Sequence, residues 1–239
     1  MIVAVMQPYF FPYIGYFQLM NAVNVFVIYD DAQYMKGGWI NRNRILVNGA
    51  PGWLTLPVKR ASLSLPINLR QYLLEGDNVR KIKEQLRASY ASAPAFGEVF
   101  SMVCELLNFK DSNVAAFNAN LLTLLAKRLG IASRVVLSSE LEKAPGLKGQ
   151  DKVIDICKRL GATCYANPIG GLALYDPLAF MQSGIALTFL RARPTSYLQA
   201  GQPHVPFLSI IDVLMFNSRE QAIKLLIESD TVNPCKSAG

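Results

Sequence analysis

A chain of 239 residues, half of them apolar and 17% charged, is long enough to bury a substantial core and too apolar to be a disordered segment. Its formal net charge of +7 favours anionic partners, whether phosphates, nucleotides, nucleic acid or an acidic membrane surface, without choosing among them. Four widely separated cysteines and one histidine show no metal-ligand spacing, so reduced thiols and no metal site are expected.

The first 29 residues carry no charged side chain. They still fail as a secretion signal or a membrane span, because there is no basic start and Gln7, Pro8, Pro12, Gln18, Asn21 and Asn24 interrupt the apolar run. A cytoplasmic protein without stable membrane insertion is expected. "MIVAVMQP" reads as a buried strand stopped by a proline, "YIGYFQLMNA" as a helix and "NVFVIYDD" as a second strand ending in two aspartates. This is the βαβ signature, whose ligands gather at the carboxyl ends of the strands. "WINRNRILV", the turn-forming "NGAPG" and "WLTLPV" form a β-ribbon, with "SLSLPINL" as a further extended piece, so the ribbon region covers about 37–70.

From about 78 to 130 apolar residues recur at three- and four-residue steps, predicting three helices. Ser112 or Asn113 can cap the third and Gly130 can end it. "SRVVLSS", "DKVIDICKRLG", "ATCYANP", "DPLAFMQSG" and "IALTFLR" then alternate as strand, helix, strand, helix, strand. The expected fold is a single α/β domain over 1–239, Rossmann-like, with a largely parallel sheet covered by helices, a β-ribbon and a helical insertion.

The loop "QPYFFPYIGY" occupies the nucleotide-binding position of such folds, yet holds one glycine, Gly15, among aromatic residues. It cannot cradle phosphate as a Gly-rich loop does, whereas Tyr9, Tyr13 and Tyr16 can stack on a base or sugar ring, or simply join the core. Asp30 and Asp31 end a strand, where a carboxylate can act as a general base, bind a sugar hydroxyl or an amine, or form a cap or an ion pair with Arg42 or Arg44. Lys36, Asn41, Arg42, Asn43 and Arg44 crowd cations and amides into the ribbon. On a strand the two asparagines share one face and the two arginines the other. Arginine forks suit phosphate and carboxylate alike. Ser138 and Ser139 end a later strand and can cap the next turn, while Lys148 and Lys152 stand near a helix start that favours an anion. Tyr165, Asn167, Gly170 and Gly171 end another strand. His204, the sole histidine, reads as a loop residue or a base, with no nucleophile elbow beside it. Asp212 lies in the apolar run "FLSIIDVL", where it needs a hydrogen-bonded partner or a role.

The motifs "MQPYFFPYIGYF", "FVIYDDAQYMKGGWINRNRI", "WLTLPV", "LSSEL", "YANPIGG" and "FLSIIDVLMFN", in this order over nearly the whole chain, resemble the WbqC-like family of bacterial polysaccharide-biosynthesis proteins. "FNSRE" departs from the family pattern by lacking a glycine soon after its asparagine. The resemblance implies an accessory enzyme of O-antigen and related glycans that attaches an amino-acid or acyl group to a nucleotide-linked amino sugar, or a non-catalytic module that binds one. It also implies a site lined by Gln7, Tyr9, Gly15, Tyr16, Asp30, Asp31, Gln33, Lys36, Trp39, Asn41, Arg42, Asn43 and Arg44. A more distant likeness is to nucleotidyltransferase and pantothenate-synthetase-like folds, which carry two histidines where Tyr13 and Tyr16 stand. By that likeness phosphate chemistry is lost or falls to Lys36, Arg42, Arg44 or Lys148. The expected partner is a nucleotide sugar. The sequence requires no cofactor, is compatible with ATP and carries no nucleic-acid-binding motif. It leaves the oligomeric state open.

Overall fold

The computed structural model describes residues 1–62, 64–193, 196–199 and 204–232. Strands β1 (Ile2–Met6), β2 (Val25–Ile28), β5 (Arg134–Leu137), β6 (Cys164–Pro168), β7 (Ala186–Ala192) and β8 (Ser229–Val232) form one sheet in the order β5-β2-β1-β6-β7-β8. All neighbours are parallel except β7 and β8. Strands β3 (Arg42–Val47) and β4 (Ala50–Thr55) make a separate antiparallel ribbon. Its turn is Asn48-Gly49, both with positive φ (49° and 77°), the conformation a tight hairpin needs and glycine accepts without strain. The expected α/β architecture with a ribbon is therefore present.

Alternation along the strands builds a core on each face of the sheet. Ala4, Phe26 and Ile28 pack on one side with helices α1 (Ile14–Asn21), α4 (Val114–Arg128) and α7 (Ile210–Phe216). Val3, Val5, Val25 and Val27 pack on the other with α5 (Gly149–Arg159) and α6 (Pro177–Gln182). Helices α2 (Asn78–Tyr90) and α3 (Phe96–Leu107) extend the first side, and α8 (Arg219–Leu225) precedes β8. Asn113 caps α4 by accepting from the N–H groups of Ala115 and Ala116. Gly130, Gly161 and Gly184 take the positive φ at which their helices end.

One local expectation needs correction, and two elements add to the reading. The described residues of "SLSLPINL" form no strand: a single bridge joins Gln33 to Pro66 and Ile67–Leu69 forms a short 3-10 turn, Pro66 breaking extended pairing. The run around Asp212 is helix α7, capped by Ser209. The antiparallel edge strand β8 was not foreseen, since "SDTV" is short and half polar.

Between β5 and β6 the chain crosses to the other side of β1, which makes the β1/β6 boundary the topological switch point. Pairing there stops at Val3 and Tyr165, so the two strands part towards their carboxyl ends. The loop leaving β1 at that point is buried and holds two prolines, and its carbonyls need donors from elsewhere. Tyr16 Oη donates to Gln7 O, Asn118 Nδ2 to Pro8 O, Asn43 Nδ2 to Phe10 O, Ser209 Oγ to Phe11 O and Ile210 N to Pro12 O. Asn118, fully buried on α4, also donates to Ile40 O at 2.7 Å and accepts from Tyr72 Oη at 3.0 Å. An Asn118→Leu variant strands the Pro8 carbonyl in the core, while Tyr72 Oη still donates to Ile40 O. It should lose about 1–3 kcal/mol in urea unfolding, the scale of one stranded buried group.

Candidate functional site

The polar residues singled out in the sequence separate into three neighbourhoods. The first is an aromatic cavity of about 270 Å³ lined by Tyr9, Tyr13, Trp39, Asn43, Arg44 and Phe207. Tyr9 and Tyr13 come from the β1–α1 loop, Trp39 from the segment before β3, and Phe207 from the segment before α7. Gly15 is required by this wall, because a Cβ there would stand 2.3 Å from the Tyr13 ring. Phe207 and Phe11 both hold positive φ, 58° and 41°, a strained conformation for an aromatic residue. Arg44 donates to Phe207 O at 3.4 Å and lies over the Trp39 ring, while its Nε is buried without a hydrogen-bond partner among the described residues. Burial raises the pKa of Tyr9 and Tyr13, so both phenols stay neutral at physiological pH. Tyr16 is wholly buried beneath this loop and presents no ring to a ligand.

The second neighbourhood is a basic groove of about 680 Å³ beside the ribbon. It takes Lys36, Asn41 and Arg42, and gains Lys59, Arg60 and Arg70, which sequence reasoning missed. Arg42 lies 4.1 Å from the Trp53 ring and donates to the carbonyls of Gly37 and Gly38. Asn41 immediately precedes β3 and Asn43 lies on it, and protein groups occupy both side chains. Asn41 accepts from Tyr34 Oη and donates to Leu56 O, and Asn43 Oδ1 accepts from Arg44 N. Gln33 lies close by, its carbonyl accepting from Gln7 Nε2 at 3.3 Å.

The third neighbourhood gathers the two aspartates, and the ion pairs expected with Arg42 or Arg44 are replaced there by others. Both arginines point to the ribbon's tryptophans, whereas two lysines distant in sequence reach the end of β2. Asp31 Oδ2 pairs with Lys152 Nζ at 3.0 Å and Lys143 Nζ at 3.4 Å. Asp30 is 2% exposed, and its oxygens accept from Ser139 N at 2.9 Å, Ser139 Oγ and, at 3.5 Å, Asn68 Nδ2. Ser139 thus binds a carboxylate across the sheet and does not cap a turn. The backbone turn after Leu137 brings it there. The reading of both aspartates as reactive groups narrows to Asp31, because Asp30 has no free oxygen and no access.

Burial of Asp31 opposes its ionisation, but the Ser138 hydroxyl and the two lysines prevail and hold its pKa below the usual 3.8. Ser138 Oγ and Asp31 Oδ1 are both buried, and neither makes a well-directed hydrogen bond among the described residues. Lys152 also lies 4.8 Å from the Tyr29 ring, whose phenol burial pushes up to about 12.

The remaining candidates lie apart. Lys148 is exposed at the start of α5. Tyr165 is fully buried against Phe180 and bonded to Asn167 and Tyr175, a core position below any ligand. Gly170 is exposed in the 3-10 turn Ile169–Leu174. His204 packs edge-on against Tyr197 at 5.0 Å in its loop. Asp212 finds the partners its burial demands: Tyr90 Oη, Tyr197 Oη and Gln199 Nε2 donate to it at 2.6–2.8 Å. Cys104, Cys157 and Cys164 are free thiols, and Cys235 lies outside the described residues. Among the described residues no cluster could hold a metal ion and no helix is long and apolar enough to cross a membrane.

The sign of the Asp31 shift fixes its pH dependence. A depressed pKa contributes stability above the unfolded value of 3.8 that disappears as pH falls through the lower folded value. Asp31→Asn should therefore be less stable than the parent at pH 7, and the gap should narrow at a pH below 3.8. Urea unfolding at the two pH values checks this, and an unchanged gap would refute the ion-pair account.

The chain matches the model of the WbqC-like protein family over residues 7–224. It is 30% identical over 223 residues to "Uncharacterized protein Rv1507c" of Mycobacterium tuberculosis (strain ATCC 25618 / H37Rv), a match that covers 92% of this chain and 95% of that protein. No solved structure shows a significant match. With the family model spanning most of the chain and the relative aligned over nearly its whole length, this protein belongs to the WbqC-like protein family.

Proposed function

We propose that the protein is a cytoplasmic enzyme of bacterial surface-polysaccharide biosynthesis that forms an amide on the amino group of a nucleotide-linked amino sugar, using an acyl or aminoacyl donor. The observation that carries this reading is the aromatic cavity over the end of β1, where Tyr9, Tyr13, Trp39 and Phe207 surround a volume suited to one sugar ring and Arg44 supplies a cation. In the reaction the neutral sugar amine attacks the donor carbonyl carbon. Its N–C bond forms as the bond to the leaving group breaks, and the leaving group departs with that electron pair. Arg44 stabilises the negative charge that develops on the carbonyl oxygen. The proton lost by the amine goes to a carboxylate, and that role is assigned to Asp31, whose Oδ1 is buried and makes no hydrogen bond among the described residues. A free carboxylic acid donor requires activation, for which ATP is the expected co-substrate; an already activated donor requires none.

A second reading, a non-catalytic module that binds the nucleotide sugar, draws on the burial of Asp31 Oδ1 and the two lysines on Oδ2, which make that carboxylate a weak base. One assay separates the two. The protein is incubated with nucleotide amino sugars and acyl or aminoacyl donors, with and without ATP, and the sugar is weighed by mass spectrometry. Enzyme action gives an acylated product, and Asp31→Asn lowers kcat by roughly 10²-fold or more, the usual scale of a lost general base. Trp39→Ala raises KM roughly tenfold through lost ring packing, equivalent to about 1.4 kcal/mol. Saturable binding with no product across the panel establishes the module instead.

A further inference from the structure

We propose that the basic groove beside the ribbon is a polyphosphate-binding site for the diphosphate or triphosphate of a nucleotide. Lys36, Arg42, Lys59, Arg60 and Arg70 face one concavity, and among the described residues no carboxylate lines it and no ion pair engages any of the five. Like charges in one groove repel, and an anion relieves that cost.

Arg70 sharpens the argument. Its residue is 4% exposed, yet the partners of its guanidinium are the carbonyls of Leu65, at 3.3 Å, and Ser62, at 2.6 Å, together with the Tyr34 ring at 4.3 Å. Carbonyls satisfy donors without neutralising charge, so a buried cation stays uncompensated. Arg42 is held the same way, by two carbonyls and the Trp53 ring. Gly37, one of the two carbonyl partners, holds a φ of +78°, which glycine accepts without strain. Two fixed guanidiniums thus form the floor. Lys36 and Arg60 are exposed, with no hydrogen bond among the described residues, and supply mobile cations at the rim.

The volume of about 680 Å³ admits a nucleotide-sized ligand. The row Arg42, Trp53, Trp39, Arg44 joins this groove to the aromatic cavity, with the two tryptophan rings 5.5 Å apart. One ligand can therefore lay its phosphates in the groove and its ring in the cavity. The inference deepens the function proposed above and rests on it for the organic part of the ligand only.

The test uses the whole chain with sodium tripolyphosphate, uridine diphosphate and a single-stranded RNA oligomer, read by thermal shift and titration calorimetry. Both phosphate probes should raise the melting temperature. The double variant Lys59→Ala/Arg60→Ala should weaken both by at least tenfold while the unliganded melting temperature stays unchanged. Arg70→Met, checked by circular dichroism, should weaken them similarly. No stabilisation by either probe overturns the proposal, as does affinity unchanged in the double variant, or RNA binding that uridine diphosphate does not displace. Phosphate binding without amide formation refutes the catalytic reading alone, and amide formation without phosphate binding refutes the groove alone.

Discussion

The arrangement depends on satisfying the backbone of the β1–α1 loop. Pro8 and Pro12 provide no N–H, the segment carries no charge, and it is buried, so its carbonyls cannot pair with one another or turn to water. Donors arrive from four parts of the chain: Tyr16 on α1, Asn43 on β3, Asn118 on α4 and the start of α7. Each bond fixes the loop that carries Tyr9 and Tyr13 to the cavity. The helical stretch between β4 and β5 therefore positions the site as much as it fills the core.

The same economy of polar groups explains the dense cluster in "WINRNRILV". Alternation along β3 divides it. Asn43 turns inward to hold Phe10 O, while Arg42 and Arg44 turn outward, each to its own tryptophan and its own concavity. What reads as one polar patch in sequence becomes two environments in space. Asp30 and Asp31 divide in the same manner, one closed off by Ser139 and the other held by lysines from beyond β5.

Strand, helix, strand in the first 30 residues was legible because buried parallel strands are continuous apolar runs with polar ends, and the ribbon was legible from Asn48-Gly49. Features that depend on distant partners were not. Lys143 and Lys152 are ordinary lysines until the fold brings them to Asp31, more than 100 residues earlier in the chain. Arg70 shows no local sign that its side chain will be buried over Tyr34. Helix α7 is apolar all round except for Asp212, and such a run has no period to distinguish it from a strand. The Asp212 interruption pointed to a buried polar contact without naming Tyr90, 122 positions away.

The two caged arginines have a consequence for the cost of association. A free arginine that meets a ligand gives up rotamer freedom worth roughly 2 kcal/mol. Arg42 and Arg70 have surrendered it already on folding, one against Trp53 and the Gly37-Gly38 turn, the other against Tyr34. An anion that docks on them orders little further, so the entropy of complex formation at the floor of the groove is set when the protein folds. Lys36 and Arg60, unrestrained at the rim, retain theirs until the anion arrives.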